Sequence, residues 1–195
     1  DEIKDIRAQY PGKKIIFSMG RLVSYKGYEY LISAMTHLPE EYVLLIGSDG
    51  PLKEQLQQQI EELGLKERVT LLGGLKEEKK QAYFGACDVF CLSSVMKTEA
   101  YAIVLVEAMS LGRPVIATKI PESGVSWVNA HEVSGLNVPV RDPEALAEAI
   151  HKICGDPELW KHYSQGARQR YDDTFTKDEM INNLIETYTQ LLNNN

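Results

Sequence analysis

From Ile15 onward the chain repeats one device: a short run that is almost wholly apolar, a turn, then a segment with apolar residues three or four apart. The runs are IIFSMG (15–20), YVLLIG (42–47), RVTLLG (68–73), DVFCLS (88–93), RPVIAT (113–118) and GLNVPV (135–140). A strand wetted on one side alternates apolar with polar residues, so continuous runs indicate a parallel sheet covered on both faces. Between them, segment 26–38 places Tyr30, Leu31, Ala34, Met35 and Leu38 at helical spacing, and 77–86 and 101–112 are also expected as helices. Asp142-Pro143-Glu144 and Asp156-Pro157-Glu158 each supply an N-cap, a proline at the first helical position and an acid close behind. The pattern predicts a doubly wound α/β domain with a mainly parallel six-stranded sheet.

One such domain accounts for residues 1–195, since 44% hydrophobic and 25% charged residues suffice for a single full core. Residues 1–13 read as a linker segment with a short helix before Pro11-Gly12. Residues 177–195 read as a C-terminal helix that frays at Asn193-Asn194-Asn195. The first residue is Asp rather than Met, so the chain is expected to be part of something longer.

The formal charge of -7 argues against a nucleic-acid or anionic-membrane surface, because both require clustered positive charge. It leaves room for a small anion, since two or three cations in a cleft outweigh the global field at close range. Cys87, Cys91 and Cys154 are odd in number and lack zinc spacing, so they read as small buried hydrophobes in a reducing compartment. No apolar run approaches the roughly 18 residues of a membrane span.

In parallel α/β sheets ligands gather beyond the carboxyl ends of the strands. The first such junction, SMGRLVSYKGYEYL, sets Arg21 and Lys26 beside Gly20 and Gly27 at a helix start, which suits a phosphate. It is neither a P-loop nor a dinucleotide fingerprint, and two solvated surface cations would be the ordinary reading of it alone. The second, GSDGPL, is mainly a tight turn in which Asp49 bonds locally. At the fourth, Glu99 precedes a helix and Glu107 lies about one and a half turns within it. The first-turn amides of Ala102, Ile103 and Val104 would form a second anion site there. In the long fifth junction Trp127 is expected to pack the loop down and His131 to be a surface turn residue. No nucleophile elbow, Cys–His arrangement or metal-spaced cluster appears.

Taken in order, GRLVSYKG, GSDGP, RVTLLGG, DVFCLSSVMKTEAYAIVLVEAMSLGRPVIAT, SGLNVPVRDPEALAEAI and GARQRYDDTFT resemble the C-terminal half of family 4 glycosyltransferases. These are retaining, nucleotide-sugar-dependent enzymes of the GT-B fold, and the resemblance runs from about Lys14 to near the end. Its Glu-x7-Glu signature falls on Glu99 and Glu107. The resemblance implies that Arg21 and Lys26 neutralise the donor diphosphate, with Gly20 beside them. It implies that the 101–104 segment (Tyr101, Ala102, Ile103, Val104) cradles the sugar and distal phosphate. Glu99 would meet the sugar near the reacting centre, Glu107 the ribose, and the backbone around Leu72, Gly73 and Leu75 the base. Glu99, Arg21 and Lys26 would carry the catalysis, with no metal or other cofactor.

Two departures follow. Ala100 and Ala102 stand where the family has glycines in Glu-Gly-Phe-Gly, so their methyl groups are expected to narrow the approach to the sugar or to exclude positive φ. The resemblance also implies an acceptor-binding N-terminal domain that is expected to lie outside this chain, so saccharide acceptor contacts and any membrane association would belong to that half, at the cytoplasmic side. The pieces SSVMKTEA and SGVSWVN resemble a bacterial polysaccharide subgroup that often uses GDP-mannose. A noncatalytic nucleotide-sugar-binding module is the alternative function; a nicotinamide-dependent oxidoreductase fits the fold but not the first junction.

Overall fold

The computed structural model describes residues 2–193. Its six strands are β1 (Lys14–Met19), β2 (Tyr42–Gly47), β3 (Val69–Gly73), β4 (Val89–Leu92), β5 (Val115–Thr118) and β6 (Gly135–Val138). Every pairing is parallel and the spatial order is β3-β2-β1-β4-β5-β6. The expected six-stranded, doubly wound sheet is therefore present, and it is parallel throughout. The order reverses between β1 and β4, which opens a crevice at their carboxyl ends.

The helices are α1 (Glu2–Gln9), α2 (Tyr28–Ala34), α3 (Lys53–Glu62), α4 (Glu77–Ala86) and α5 (Ile103–Ser110), then α6 (Val125–Val128), α7 (Pro143–Gly155), α8 (Pro157–Thr174) and α9 (Lys177–Asn193). Strand residues alternate between two cores. Ile16, Leu44, Cys91 and Ile116 face Leu31, Ile60, Ile150 and Ile153. Ile15, Phe17, Phe90 and Val115 face Phe84, Leu105, Met109 and Ala167. All three cysteines are buried thiols in these layers.

Several expected boundaries move, each for a local reason. Segment 26–38 is not one helix: a 3-10 turn over Ser24–Lys26 ends at Gly27 in the left-handed region (φ 63°), and α2 begins only at Tyr28. A second 3-10 turn, Met35–His37, closes it. β6 stops at Val138, before Pro139, whose ring nitrogen has no hydrogen to donate. The opening segment is packed: Arg7 donates to both carboxylate oxygens of Asp88 (3.0 and 2.9 Å), and Asp88 also accepts from the Ile15 amide at 2.6 Å. Helix α9 is found where the C-terminal helix was expected, and the last two asparagines lie outside the described residues. Its Met180, Ile181, Leu184, Ile185, Tyr188 and Leu191 are exposed.

Candidate functional site

The carboxyl ends of β1, β2 and β3 are laced together by backbone. Gly20 N–H donates to Gly47 (3.2 Å) and Ser48 N–H to Gly73 (2.7 Å). Residues without side chains let these loops close up. A Cβ on Gly50 would stand 2.5 Å from the Leu22 carbonyl oxygen, and one on Gly47 would stand 2.8 Å from Leu75. Leu72 and Gly73 end β3 half-buried, with open space around Gly73. Asp49 accepts from the Gly50 amide at 3.1 Å, so this turn is locally braced as expected.

Gly20 runs at φ 153°, and a Cβ there would press to 3.0 Å from the Lys26 side chain and the Tyr28 hydroxyl. The missing methyl is what lets Lys26 fold back past the end of β1. Tyr28 donates its hydroxyl to the Gly20 carbonyl at 2.8 Å. Burial, the largest cause, pushes its phenol well above the ordinary value, so it stays a neutral donor.

Lys26 reaches across the switch point to Glu99, and the two side chains form a buried ion pair. The same Glu99 oxygen accepts from Ser94 Oγ at 2.7 Å, and Ser94 is fully buried just past β4. Ser123 donates to the Glu99 carbonyl, which fixes the backbone as well. Lys26 and Glu99, assigned separately to phosphate and sugar, thus form one unit. Arg21 lies exposed beside Gly20 with no side-chain partner among the described residues, and supplies the uncompensated positive charge.

Helix α5 begins at Ile103, not Tyr101. Ala102 is its cap residue, left-handed at φ 60° and ψ 68°, and the Leu105 amide bonds back to its carbonyl at 2.9 Å. Positive φ is therefore adopted despite the methyl group, contrary to expectation, at about 1–2 kcal/mol relative to glycine. The Ile103 and Val104 amides lie in the first turn, where a helix leaves its N–H groups without intrahelical partners. Ile103 is strongly exposed and Val104 half-buried. Glu107 does not join Glu99: it pairs with Lys80 of α4 at 2.7 Å, and Lys80 also holds Glu77 at 2.9 Å. The two acids, Glu99 before this helix and Glu107 within it, are each met by a different lysine.

Trp127 corrects the sequence reading. It does not pack the loop down but stands 56% exposed on α6, beside Tyr101 at 40%. His131 is a surface residue whose Nδ1 accepts from the Asn137 amide at 3.0 Å. Sequence reasoning missed Ser94, Ser123, Tyr28 and Lys80. Only the buried-looking Ser93-Ser94 pair at the end of an apolar strand gave a signal, because buried hydroxyls need partners. Among the described residues no group of three or more His, Cys, Asp or Glu converges as a metal site. No helix among them is long and apolar enough to cross a membrane. A surface groove of about 1010 Å³ lies at the opposite ends of the strands, lined by Ser110, Gly112, His162 and Arg168 among others. None of the selected residues lines it.

The sheet order, with its reversal between β1 and β4, defines a Rossmann-like α/β domain with a charged cleft between the β1 and β4 loops. The chain belongs to the glycosyl transferases group 1 family, whose profile matches residues 1–170. It is 32% identical to O-antigen chain mannosyltransferase C of Escherichia coli over 93% of its own length and 48% of that protein. It is 31% identical to the D-rhamnosyltransferase WbpZ of Pseudomonas aeruginosa, covering 85% of this chain and 42% of that one. Among solved structures it superposes on Anabaena Alr3699/HepE in complex with UDP with a TM-score of 0.87, at 26% identity over 97% of this chain and 52% of that one. HepE is also known with UDP-glucose. The fold is that of the Rossmann-like half of GT-B glycosyltransferases, and the chain spans about half the length of the relatives it matches.

Proposed function

We propose that this chain is the donor-binding half of a retaining glycosyltransferase of the family 4 type. It would move a hexose from a nucleoside diphosphate to a glycan or lipid-linked acceptor in bacterial polysaccharide synthesis. The observation that carries this reading is the buried Lys26–Glu99 pair at the switch point, beside the free first turn of α5. A diphosphate seated there meets the Ile103 and Val104 amides, the positive end of the helix dipole, Arg21, and the outer hydrogens of Lys26. Its sugar then lies over Glu99, its ribose toward Glu107 and its base against Leu72, Gly73 and Leu75.

In the transfer, the bond between the anomeric carbon and the phosphate oxygen breaks and its electron pair leaves with the diphosphate. Arg21, Lys26 and the helix amides meet that growing negative charge without reorganising, which is where their stabilisation would be largest. The acceptor hydroxyl forms the new bond on the same face and gives up its proton to the departing phosphate oxygen. Glu99, its charge and orientation fixed by Lys26 and Ser94, faces the positive charge that develops on the sugar ring. No metal is needed in this scheme. GDP-mannose is the donor that the sequence resemblance implies, a mannosyltransferase among the relatives is in keeping with that sugar, and the UDP-glucose complex of HepE supports a UDP-sugar instead.

The acceptor site, and any peripheral contact with the cytoplasmic face of a membrane, would belong to the other half of the protein. The apolar face of α9 would pack there, and this chain alone would bind donor without transferring it. Calorimetric titration with UDP, GDP and ADP, with Arg21→Ala and Lys26→Ala beside the wild type, tests the site. Binding of one diphosphate without added metal, weakened at least ~10-fold by Arg21→Ala, is the expected result. Binding that is indifferent to both substitutions would place the phosphates elsewhere.

A further inference from the structure

Beside the Lys26–Glu99 unit, on its β5 side, two large aromatic rings stand in solvent on a rigid mount. Tyr101 and Trp127 lie with centroids 6.2 Å apart and planes tilted by 40°, and both are exposed. Phe175, almost wholly buried, wedges edge-on beneath both at 6.3 and 5.6 Å. Arg170 locks the mount. Its Nε donates to the Val128 carbonyl at 2.8 Å, its terminal nitrogen donates to the Trp127 carbonyl, and its guanidinium lies 5.3 Å from the Trp127 ring. Exposed indole is costly in water, and one braced from below by a cation and a second ring is held for contact with something else.

The mount shares its frame with Glu99. Gly124, at the start of α6, donates its amide to Ala100 at 2.9 Å, and Ser123 donates to the Glu99 carbonyl. Close packing enforces this, since a Cβ on Gly124 would stand 2.8 Å from the Ala100 oxygen. Position along the sheet matters too. A donor with its base at β3 and its phosphates at β1 and α5 points its sugar end toward β4 and β5, where the rings stand.

We propose that Tyr101 and Trp127 form a stacking platform for the C–H face of a pyranose ring at the sugar end of the donor site. A pyranose offers an apolar face rimmed by hydroxyls, which suits flat rings exposed at a polar edge. That the ring is a saccharide rests on the donor-site reading above. The ring could be the donor sugar or the end of an acceptor saccharide reaching across from the other half, and the experiment separates them.

Emission of the wild type minus that of Trp127→Phe isolates Trp127 from Trp160. Methyl α-glucopyranoside and methyl α-mannopyranoside are titrated against it, with sorbitol, which lacks a ring face, as control. Calorimetry then compares UDP-glucose with UDP and GDP-mannose with GDP, on the wild type and on Trp127→Ala. If the platform holds donor sugar, Trp127→Ala weakens a nucleotide-sugar by ~5-fold, the order of one aromatic contact, and leaves the free nucleotide unchanged. If it holds acceptor, donor affinities stay level while a glycoside produces a saturating change that sorbitol does not. No glycoside response together with unchanged nucleotide-sugar affinity overturns the proposal, even where the diphosphates bind and the donor reading stands. Conversely, a glycoside response in a chain that binds no diphosphate would leave the platform and sink the donor site.

Discussion

Replacing Lys26 by Met removes the charge at the centre of the site while keeping a side chain of similar length, so little packing is lost with it. In the folded protein the Lys26 and Glu99 side chains are only 10% and 11% exposed. Without the ammonium, the Glu99 carboxylate keeps one short bond, from Ser94 at 2.7 Å, and no cation among its partners. Breaking a buried pair by removing one member costs about 3–5 kcal/mol, and the surviving Ser94 bond sets this case at the low end, near ~3 kcal/mol. For a chain of this size that corresponds to a drop of roughly 6–12 °C in Tm.

The double variant Lys26→Met/Glu99→Gln should recover most of the loss, because the orphaned charge is gone and the amide oxygen still accepts from Ser94. A residual cost of ~1 kcal/mol is expected, giving a coupling of about 2 kcal/mol or more between the two positions once Glu99→Gln is measured alone. Urea denaturation of the wild type, both single variants and the double variant near neutral pH supplies the cycle. Repeating it in ~1 M salt distinguishes a buried pair, which barely responds, from a screened surface pair. A cost below ~1 kcal/mol for Lys26→Met, or single effects that simply add, would refute the pairing and with it the site as built here.

Other consequences are simpler. Gly27→Ala puts a Cβ 2.3 Å from the Ser93 carbonyl oxygen at φ 63°, so a loss of at least ~2 kcal/mol in urea unfolding is expected, and a change under ~0.5 would contradict the close approach of the β1 and β4 loops. Asp142→Ala removes the cap bond to the Ala145 amide (3.0 Å) and should cost ~1 kcal/mol in the same assay. Burial pushes the Cys87 thiol up to about 12, and raises those of Cys91 and Cys154 as well. Above pH ~9 the unfolded chain therefore sheds protons that the folded chain keeps, and stability should fall progressively toward pH ~12. A thiol-specific reagent near pH ~8 should find no reactive cysteine until denaturant is added, and rapid labelling of the folded chain would overturn their burial.

The sheet was legible because its strands are covered on both faces: IIFSMG and YVLLIG can lie only inside such a sheet, and each became a strand within a residue. Helix ends were less legible where tertiary contacts override local signals. Gly27 marks a helix start in the sequence, but nothing within 26–38 announces that it turns left-handed against Ser93 or that a second 3-10 turn closes the helix at Ala34. The site was legible as residue types but not as a network. Lys26 and Glu99 are 73 residues apart, and only the parallel placement of β1 beside β4 makes them neighbours. Trp127 misled for a related reason. A tryptophan in a long loop normally buries its large apolar surface. Here Phe175 has taken the buried place beneath it.

The two alanines in EAYA separate once burial is considered, and the separation bears on how this site differs from its relatives. Ala102 is almost fully buried, its methyl group packed with the core beneath α5, so it lies inside the protein and not over the cleft. What it costs is backbone strain at φ 60°, and that strain is held in place from two sides. The Leu105 amide grips its carbonyl from within the helix, and the Gly124 amide grips Ala100 two residues earlier. A conformation fixed by both neighbours persists without glycine. Ala100 is the opposite case: exposed, with its carbonyl engaged by Gly124. Any narrowing of the approach to a bound sugar therefore comes from Ala100, on the strip of chain between Glu99 and Tyr101. That strip joins the charged half of the site to its aromatic half. On the donor-site reading proposed above, the methyl group that would meet the sugar is that of Ala100, while that of Ala102 stays in the core below the helix end.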